Sequence, residues 1–295
     1  MFPVKKLIQD VETRWNSTYH MLERFVQQSN LVTTTLCLLG KNYLCLSNDG
    51  LSLIKKVILL LEYFDEATKE ISEEKFTSLS KVLPIVRGLQ DSLQVIDDDV
   101  DVQLCEELKK HLNRRFAAME GIFYIGASTI LDHRVKKLPF SDASNIKVTE
   151  EHLISILHSL NTNERSESSV APSVLSLPES TIKSGKKSLW NTFDAKAEKI
   201  SQTVSNPSSE AIIELRRYFE EPRISRIEDP LSWWKKKAPI FPNLSKVAKR
   251  ILCVPATSVP SERLFSKAGE LISQRQSTLK DKNVNMILFL NKNLK

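Results

Sequence analysis

The sequence contains very little glycine, with seven residues among 295. Glycine-rich loops bind phosphate because the missing side chain lets backbone N–H groups approach the ligand closely, and many tight β-turns also require glycine. So few glycines therefore argue against a phosphate-binding loop. They argue equally against an all-β fold, in which turns are frequent.

Cysteine is also scarce and scattered. Cys37, Cys45, Cys105 and Cys253 include no Cys-x-x-Cys pair, and no histidine lies at metal-ligand spacing from them. Neither a zinc module nor a disulfide framework is indicated by this arrangement. Isolated cysteines are typical of reduced thiols in a cytosolic or nuclear protein.

Long apolar runs are missing as well. Even a run such as Val57 to Leu61, which no other run exceeds in length, is far shorter than the roughly 20 residues that a membrane-spanning helix needs. The beginning of the sequence lacks the apolar stretch of a secretion signal. We therefore expect neither export nor a membrane partner.

Positive charge is concentrated at one end of the chain. From Pro230 onward there are thirteen Lys and Arg against three Asp and Glu, a local balance of 13 − 3 = +10, so the remaining residues carry 6 − 10 = −4 of the net +6. A basic segment of this kind indicates a polyanion or an acidic partner that acts at this end.

Apolar residues recur at steps of three and four along most of the chain, for example between Leu53 and Phe64, whereas alternating patterns are few. These periods predict a mainly α protein without a complete sheet. Residues 159–187 are rich in Ser, Thr, Asn, Glu and Pro and have no sustained period, which predicts a disordered linker. The chain is thus predicted to divide into a helical domain at 1–158, this linker, and a second helical region at 188–295.

Four motifs follow one another in a specific order. They are Asp-Val-Glu-Thr-Arg-Trp-Asn-Ser-Thr-Tyr at 10–19, Leu-Asp-His-Arg-Val-Lys at 131–136, Asp-Pro-Leu-Ser-Trp-Trp at 229–234 and Pro-Ala-Thr-Ser-Val-Pro-Ser-Glu-Arg-Leu-Phe-Ser at 255–266. Together they resemble the signature blocks of hAT-superfamily transposases and of the related zinc finger BED domain-containing proteins. His133 departs from that pattern, because this position is usually proline. The resemblance covers nearly all of the chain.

The resemblance implies a ribonuclease H-like catalytic core that is interrupted by a long helical insertion. In such a core two aspartates and one glutamate hold divalent metal for DNA strand cleavage and transfer, because two cations must be clamped against the scissile phosphate. Glu262 occupies the position of the glutamate. In the family both aspartates lie upstream of the Arg14-Trp15 block, and this sequence begins only a few residues before that block. We therefore expect neither the aspartates nor the amino-terminal BED zinc finger.

The expected fold is accordingly an insertion-like helical domain with the C-terminal helices of an incomplete ribonuclease H-like core, whose sheet is largely missing. We expect no enzyme activity, since one carboxylate cannot assemble a two-metal site. None of the five histidines pairs with a Ser or Cys nucleophile in a recognisable motif, so no hydrolase is indicated. No metal site or cofactor is expected, with Mg²⁺ required only if the chain is part of a complete transposase.

Two interpretations stay open for the first and last motifs. Glu262 is either the family's metal ligand or a first-turn acid that stabilises the start of a helix beside Ser258 and Ser261. The resemblance implies that Trp15 stacks with a flipped DNA base, so Arg14 and Trp15 are predicted DNA contacts. Helical spacing implies instead that Trp15 begins an apolar stripe.

Trp233 and Trp234 precede three lysines, Lys235, Lys236 and Lys237, which suggests contact with nucleic acid. Adjacent residues on a helix point about 100° apart, so the two rings cannot form one flat platform. One ring is expected in the core and the other at an interface. The resemblance places the region from about residue 210 onward in the hAT C-terminal dimerisation region. The predicted dimerisation residues are Trp233, Trp234, Phe265, Met286, Leu288, Phe289 and Leu290.

The sequence as a whole predicts a transposase-derived dimerisation module in the nucleus. Its partner is expected to be a second copy or a related hAT-family chain. Weak, non-specific and salt-sensitive DNA binding is expected to come second. The alternative is the C-terminal part of an active or split hAT DNA transposase whose catalytic carboxylates are completed elsewhere.

Overall fold

The computed structural model describes residues 5–73, 77–95, 102–168, 207–274 and 280–294. All of the regular secondary structure in these residues is helical, with twelve α-helices, three short 3-10 turns and no strand. The prediction of a mainly α protein is confirmed. No helix of this described part is both long and apolar enough to cross a membrane.

The helices follow one another in the order α1 (Trp15–Gln27), α2 (Ser29–Leu38), α3 (Asn48–Ile71), α4 (Val82–Val95), α5 (Val102–Phe116), α6 (Phe123–Leu131), α7 (Ala143–Ser168), α8 (Pro207–Glu220), α9 (Pro230–Lys237), α10 (Pro242–Leu252), α11 (Val259–Gln274) and α12 (Asp281–Asn293).

Several helix starts follow directly from the sequence. Ser47 caps α3, because its hydroxyl oxygen accepts a hydrogen bond from the Gly50 N–H at 3.1 Å. Asp229 caps α9 in the same manner and accepts from the N–H groups of Leu231 and Ser232 at 3.1 and 3.0 Å. Pro230 follows as the first residue of α9, where a missing N–H costs nothing. The motif at 229–234 is therefore a helix-initiation signal in physical terms.

The chain forms two compact units. One comprises Met1–Glu120 together with Val254–Lys295, and the other comprises Gly121–Cys253. In the first unit α1 packs on α3, α3 on α4, α4 on α5, and α11 on α12. Its buried core includes Leu60, Leu93, Cys105 and Leu112.

A buried carboxylate connects α1 and α3 in this first unit. Asp65 is 3% exposed and accepts a hydrogen bond from the side-chain amide of Asn16 at 2.9 Å. Its other oxygen lies 2.5 Å from the Lys69 ammonium. Asn16 belongs to the first motif, so part of that motif serves to fix α1 against α3.

The second unit consists of α6 to α10 packed around one core. Its fully buried residues are Ala127, Ile130, Leu131, Leu153, Leu157, Ala211, Leu215, Tyr218, Trp234, Phe241, Leu244, Val247, Ala248, Ile251 and Leu252. Helix α7 packs on α6, α8 and α10, and α10 also packs on α9. The aromatic rings concentrated in this core come from segments that are far apart in the sequence.

The compact units divide the chain at other places than the predicted segments 1–158, 159–187 and 188–295. Helix α7 continues through Ser168, so the predicted linker begins inside a helix. The remainder of that linker lies outside the described residues. The three-segment division therefore stays a prediction.

Candidate functional site

Helix α12 carries apolar residues on two opposite sides. Val284 is 7% exposed, and Ile287 and Leu288 are half-buried; their spacing of three and four residues places them on one face. Met286, Phe289 and Leu290 share the other face and are 55%, 65% and 41% exposed. We call these three exposed residues the α12 stripe.

Helix α11 shows the same division. Ala268 and Leu271 are half-buried, whereas Phe265 and Ile272 are 73% and 55% exposed two turns apart. We call Phe265 and Ile272 the α11 stripe. The face between them is open, because a side chain added at Gly269 would meet no atom within 4 Å.

Each stripe is an exposed apolar surface that favours association. Full burial of a large apolar side chain contributes about 1.5–3 kcal/mol, so the exposed portion of each ring or aliphatic chain represents roughly 1–2 kcal/mol of unused stabilisation. A cluster of such residues at a chain end is typical of a protein–protein interface. Four of the predicted dimerisation residues, Phe265, Met286, Phe289 and Leu290, lie in the stripes.

Leu288 requires a correction. It was expected beside Phe289 and Leu290 on one exposed surface, but it lies half-buried on the face that carries Val284. Each residue along a helix turns the side-chain direction by about 100°, so Leu288 cannot share one face with both Phe289 and Leu290. Leu288 therefore lies outside the α12 stripe.

Trp234 is also a core residue and not an interface residue. Its side chain is completely buried, its indole N–H donates to the Leu131 carbonyl at 2.9 Å, and its ring stacks on Tyr218 with centroids 5.1 Å apart. The Tyr218 hydroxyl in turn donates to the Ile130 carbonyl at 2.8 Å. Placing Trp234 among the dimerisation residues was therefore wrong, since no surface of the ring is left for another chain.

Trp233 is half-buried and occupied within its own unit. Its ring stacks on His133, with centroids 3.7 Å apart and an angle of 19° between the planes. It meets Trp234 edge-on at 88°, so the two indoles do not form one platform. Lys237 lies 5.8 Å from the centre of the Trp233 ring. These contacts leave Trp233 little free ring surface for a second chain.

The three lysines of α9 have different surroundings. Lys235 and Lys236 are exposed. Lys237 is half-buried and forms an ion pair with Glu221 at 2.9 Å, so an anionic ligand would compete with an internal carboxylate. Lys235 and Lys236 are thus the better placed of the predicted DNA contacts.

Arg14 and Trp15 stand at the start of α1. Arg14 is exposed in the N-cap position, without a side-chain cap hydrogen bond, and its backbone N–H donates to the Val11 carbonyl at 2.8 Å. Trp15 is 44% exposed, whereas Tyr19, one turn later, is 6% exposed. Part of the Trp15 ring is therefore packed against the protein and part is exposed to solvent. Both interpretations of Trp15 stay open.

Glu262 lies in the first turn of α11 and is exposed. Its carboxylate accepts a hydrogen bond from the Ser258 hydroxyl, and its backbone N–H donates to the Ser258 carbonyl at 2.9 Å. These are the contacts of a first-turn acid. No group of three or more His, Cys, Asp or Glu side chains suited to a metal ion occurs in the described residues.

The rest of the last motif anchors the beginning of α11 to the same unit. The Arg263 guanidinium donates to the Ser72 carbonyl at 3.1 Å. The Ala256 N–H donates to the Ser78 hydroxyl oxygen at 2.9 Å. The motif at 255–266 therefore positions α11, and with it Phe265, by hydrogen bonds to residues that are 191 and 178 positions away in the sequence.

His133 and Lys136 were not predicted as important residues. His133 is completely buried, and neither ring nitrogen makes a hydrogen bond of good geometry in the described residues. Burial, together with the nearby Lys136 ammonium, lowers the pKa of His133 to about 4. The one sequence feature that could have drawn attention to His133 is that this position of the motif is usually proline.

Lys136 closes the end of α8. Its ammonium donates at 2.8 Å to the carbonyl of Tyr218 in the last turn of α8, where carbonyls lack helical donors, and at 2.5 Å to the carbonyl of Glu221 just after the helix. Burial lowers the pKa of Lys136 to about 8. Its backbone adopts a φ of 50°, a left-handed conformation that is uncommon for lysine and that these contacts stabilise.

Two parts of the sequence match models of known protein families. Residues 214–294 match the model of the hAT family C-terminal dimerisation region. Residues 2–60 match the model of the ZBED1 RNase-like helical domain. Residues 214–294 are thus similar to the C-terminal dimerisation region of the hAT family, and the resemblance drawn from the motifs is confirmed.

The individual relatives are BED proteins and transposases. Zinc finger BED domain-containing protein 4 of Homo sapiens is 28% identical over 297 residues, covering 99% of this chain and 24% of that protein. Zinc finger BED domain-containing protein 6 of Homo sapiens is 26% identical over 320 residues, covering 99% of this chain and 32% of that protein. Putative AC transposase of Zea mays is 22% identical over 294 residues, covering 93% and 35%. The chain thus spans about a quarter to a third of these curated relatives.

Proposed function

We propose that this chain is a transposase-derived dimerisation module that associates through the α11 and α12 stripes. The partner is a second copy of the chain or a related hAT-family chain. The observation that carries the proposal is the coincidence of the family dimerisation region, 214–294, with two adjacent helices that each keep an exposed apolar face.

Only part of the dimerisation region is available for contact. Its aromatic portion, which includes Tyr218, Trp234 and Phe241, is buried inside the unit formed by Gly121–Cys253. These residues stabilise the fold. The outward portion, represented by Phe265 and Phe289, is exposed. Removing apolar surface from water is favourable in free energy, whereas lysine side chains are stable when exposed to water. We therefore rank dimerisation above DNA binding.

The proposal is tested by charging the α12 stripe. Met286→Asp with Phe289→Asp places two carboxylates on that face, and in a symmetric dimer four carboxylates enter one interface. We expect a loss of affinity of at least about 100-fold, or about 2.7 kcal/mol, together with an unchanged helical circular dichroism spectrum. Sedimentation velocity at several micromolar concentrations measures this change.

The matched control is Leu138→Asp with Ile227→Asp. These residues are 70% and 89% exposed and lie in the other unit, so the change in net charge is the same and the stripes stay intact. The control is expected to dimerise like the wild type. A wild type that stays monomeric at about 100 μM, or two double variants that behave alike, would contradict the proposal.

We further propose that the chain alone does not cleave or transfer DNA, and that it acts in the nucleus with weak DNA affinity. The nuclear assignment rests on the kinship with BED proteins and transposases. The first point is supported by Glu262, whose carboxylate is engaged by Ser258 at a helix start. The DNA affinity is supported by the exposure of Lys235 and Lys236 in a segment with a balance of +10.

The second candidate function is the C-terminal part of an active or split transposase. It is favoured by the similarity to Putative AC transposase over 93% of this chain. A DNA nicking assay with Mg²⁺ or Mn²⁺, run on the chain and on Glu262→Gln, separates the two candidates. No nicking by either protein supports the dimerisation module, whereas cleavage that Glu262→Gln abolishes supports the transposase.

A further inference from the structure

Helix α2 and the 3-10 turn that follows it, Asn42–Leu44, form an exposed segment with almost no charge. Residues 25–48 contain one charged side chain, Lys41, whereas 26% of the whole chain is charged. The structure describes all of α2 and of this turn, and none of their residues is buried. We call residues 29–46 the α2 lobe.

The α2 lobe exposes large apolar side chains. Leu38, Leu39 and Tyr43 are 83%, 64% and 79% exposed. They belong to one compact reversal of the chain, because the Lys41 N–H donates to the Leu36 carbonyl at 2.8 Å and the 3-10 turn packs on α2. Exposed apolar side chains that are grouped in this way are typical of an association site.

The polar side chains of α2 do not oppose such an association. Thr34 and Thr35 are exposed, but their hydroxyl groups donate to the carbonyls of Asn30 and Leu31, four residues earlier, each at 2.8 Å. Because each hydroxyl proton is used within the helix, an apolar surface that covers these residues leaves no hydroxyl donor unsatisfied.

The scarcity of charge determines the chemistry of the partner. A nucleic acid or a strongly charged peptide would lose hydration of its charges against the lobe without gaining an ion pair. Helices that lie on membrane surfaces carry a polar face rich in Lys and Arg, whereas Lys41 is the single charge of the lobe. The lobe therefore fits an uncharged, apolar protein surface.

A second copy of the chain presents a surface of this kind. In a two-fold symmetric contact the same patch meets itself, so like charges are brought together wherever that patch is charged. The α2 lobe largely avoids this repulsion because of its composition. We propose that the α2 lobes of two chains bind each other, as a second self-association surface beside the α11 and α12 stripes.

The lobe contact is the weaker of the two. Its exposed leucine and tyrosine surface is on the order of a few hundred Å² per chain, below the roughly 800 Å² per partner of a standard interface. It offers one aromatic ring, Tyr43, whereas the stripes offer Phe265 and Phe289. The lobe and the stripes lie in the same compact unit. With the proposed stripe contact, on which this consequence rests, lobe contacts join two dimers into a tetramer.

The proposal is tested by charging the lobe. Leu38→Asp with Tyr43→Asp, the lobe variant, changes two exposed side chains, so its circular dichroism spectrum should match that of the wild type. We expect the wild type to sediment as a dimer at about 5 μM and as a tetramer at about 100 μM, and the lobe variant to stay a dimer at both concentrations. The control Leu138→Asp with Ile227→Asp, in the other unit, is expected to reach the tetramer.

The stripe variant, Met286→Asp with Phe289→Asp, separates the lobe contact from the stripe contact. It lacks the stronger contact and is expected to form dimers only towards about 100 μM, through the lobes. If the stripe proposal alone is wrong, the stripe variant behaves like the wild type and the lobe variant is monomeric. A stripe variant that is still monomeric at about 100 μM would overturn the lobe-to-lobe contact.

The reactivity of Cys37 shows where the chains meet. Cys37 is exposed in the α2 lobe, whereas Cys253 is exposed in the other unit. At a fixed excess of iodoacetamide, alkylation of Cys37 is expected to slow roughly tenfold between about 5 and about 100 μM protein, while Cys253 keeps its rate. An unchanged rate for Cys37, or a lobe variant that forms the tetramer like the wild type, would contradict the proposal.

Discussion

At the scale of single residues, His133 shows how a motif position acquires a physical role. The ring is completely buried against Trp233, where a flat, uncharged side chain packs well. A proline at this position would also be compact and uncharged. The cost of histidine is that it can be protonated, and the buried environment disfavours the charged form.

A pH-dependent stability follows from His133. Its folded pKa of about 4 lies below the unfolded value of about 6.5, so between these values the unfolded chain binds more protons than the folded one. The free energy of unfolding therefore falls as the pH falls from about 6.5 to about 4, by at most about 3 kcal/mol from this residue.

The variant His133→Phe should lack that part of the acid sensitivity. Urea unfolding at pH 7, 5 and 4 measures it, with His111→Gln, a change at an exposed position, as the control that keeps the wild-type slope. An equal loss of stability between pH 7 and 4 in wild type and His133→Phe would show that His133 is not the titrating group.

At the scale of helices, the decisive feature is that α11 and α12 each have a covered and an open face. Helical periodicity predicts which residues share a face, and it correctly indicated an apolar C-terminal helix. It does not indicate which face another helix covers. That depends on packing against distant parts of the chain, and for this reason Leu288 was assigned to the wrong side.

The two faces of α12 should respond differently to the same substitution. Leu288→Asp places a charge on the half-buried face and is expected to lower the melting temperature, by roughly 2–4 °C for each kcal/mol lost. Phe289→Asp, one residue later on the exposed face, should leave the melting temperature of the monomer nearly unchanged. Both are measured by circular dichroism at a dilution where the protein is monomeric. Equal melting temperatures for the two variants would contradict the division into faces.

Some structural features could be predicted from the sequence and others could not, and the difference has a physical cause. Helix α9 was predictable because Asp229 and Pro230 are local start signals. One ring of the Trp233-Trp234 pair was expected in the core, but the sequence did not show which, because the hydrogen-bond acceptor of Trp234, the Leu131 carbonyl, is 103 residues away.

At the scale of the whole molecule, the charge at the basic end is predicted to produce a measurable salt dependence. Each phosphate that a lysine neutralises contributes about −0.9 to the slope of log affinity against log salt concentration for duplex DNA. Replacing Lys235 and Lys236 by Gln should therefore reduce the magnitude of that slope by roughly 2. The slope is measured by fluorescence anisotropy with a duplex of arbitrary sequence, at salt concentrations from about 50 mM to about 200 mM.

The control for DNA binding replaces two lysines outside this end of the chain. Lys55 and Lys110 are both exposed and lie on α3 and α5, so Lys55→Gln with Lys110→Gln changes the net charge by the same amount. This control should keep the wild-type slope. If both double variants lower the slope equally, binding responds to overall charge and α9 is not the contact.

The central claim is that two chains meet through the outer faces of α11 and α12, and a photo-crosslink tests it most directly. Phe289 is replaced by the photoreactive residue p-benzoylphenylalanine, which keeps an aromatic ring at the centre of the α12 stripe. After irradiation we predict a product of twice the monomer mass, in which the label is attached to residues of Val259–Gln274 or Asp281–Asn293 of the second chain. Attachment to residues within Gly121–Cys253 of the second chain, or the absence of any dimeric product at concentrations where the wild type sediments as a dimer, would contradict the account.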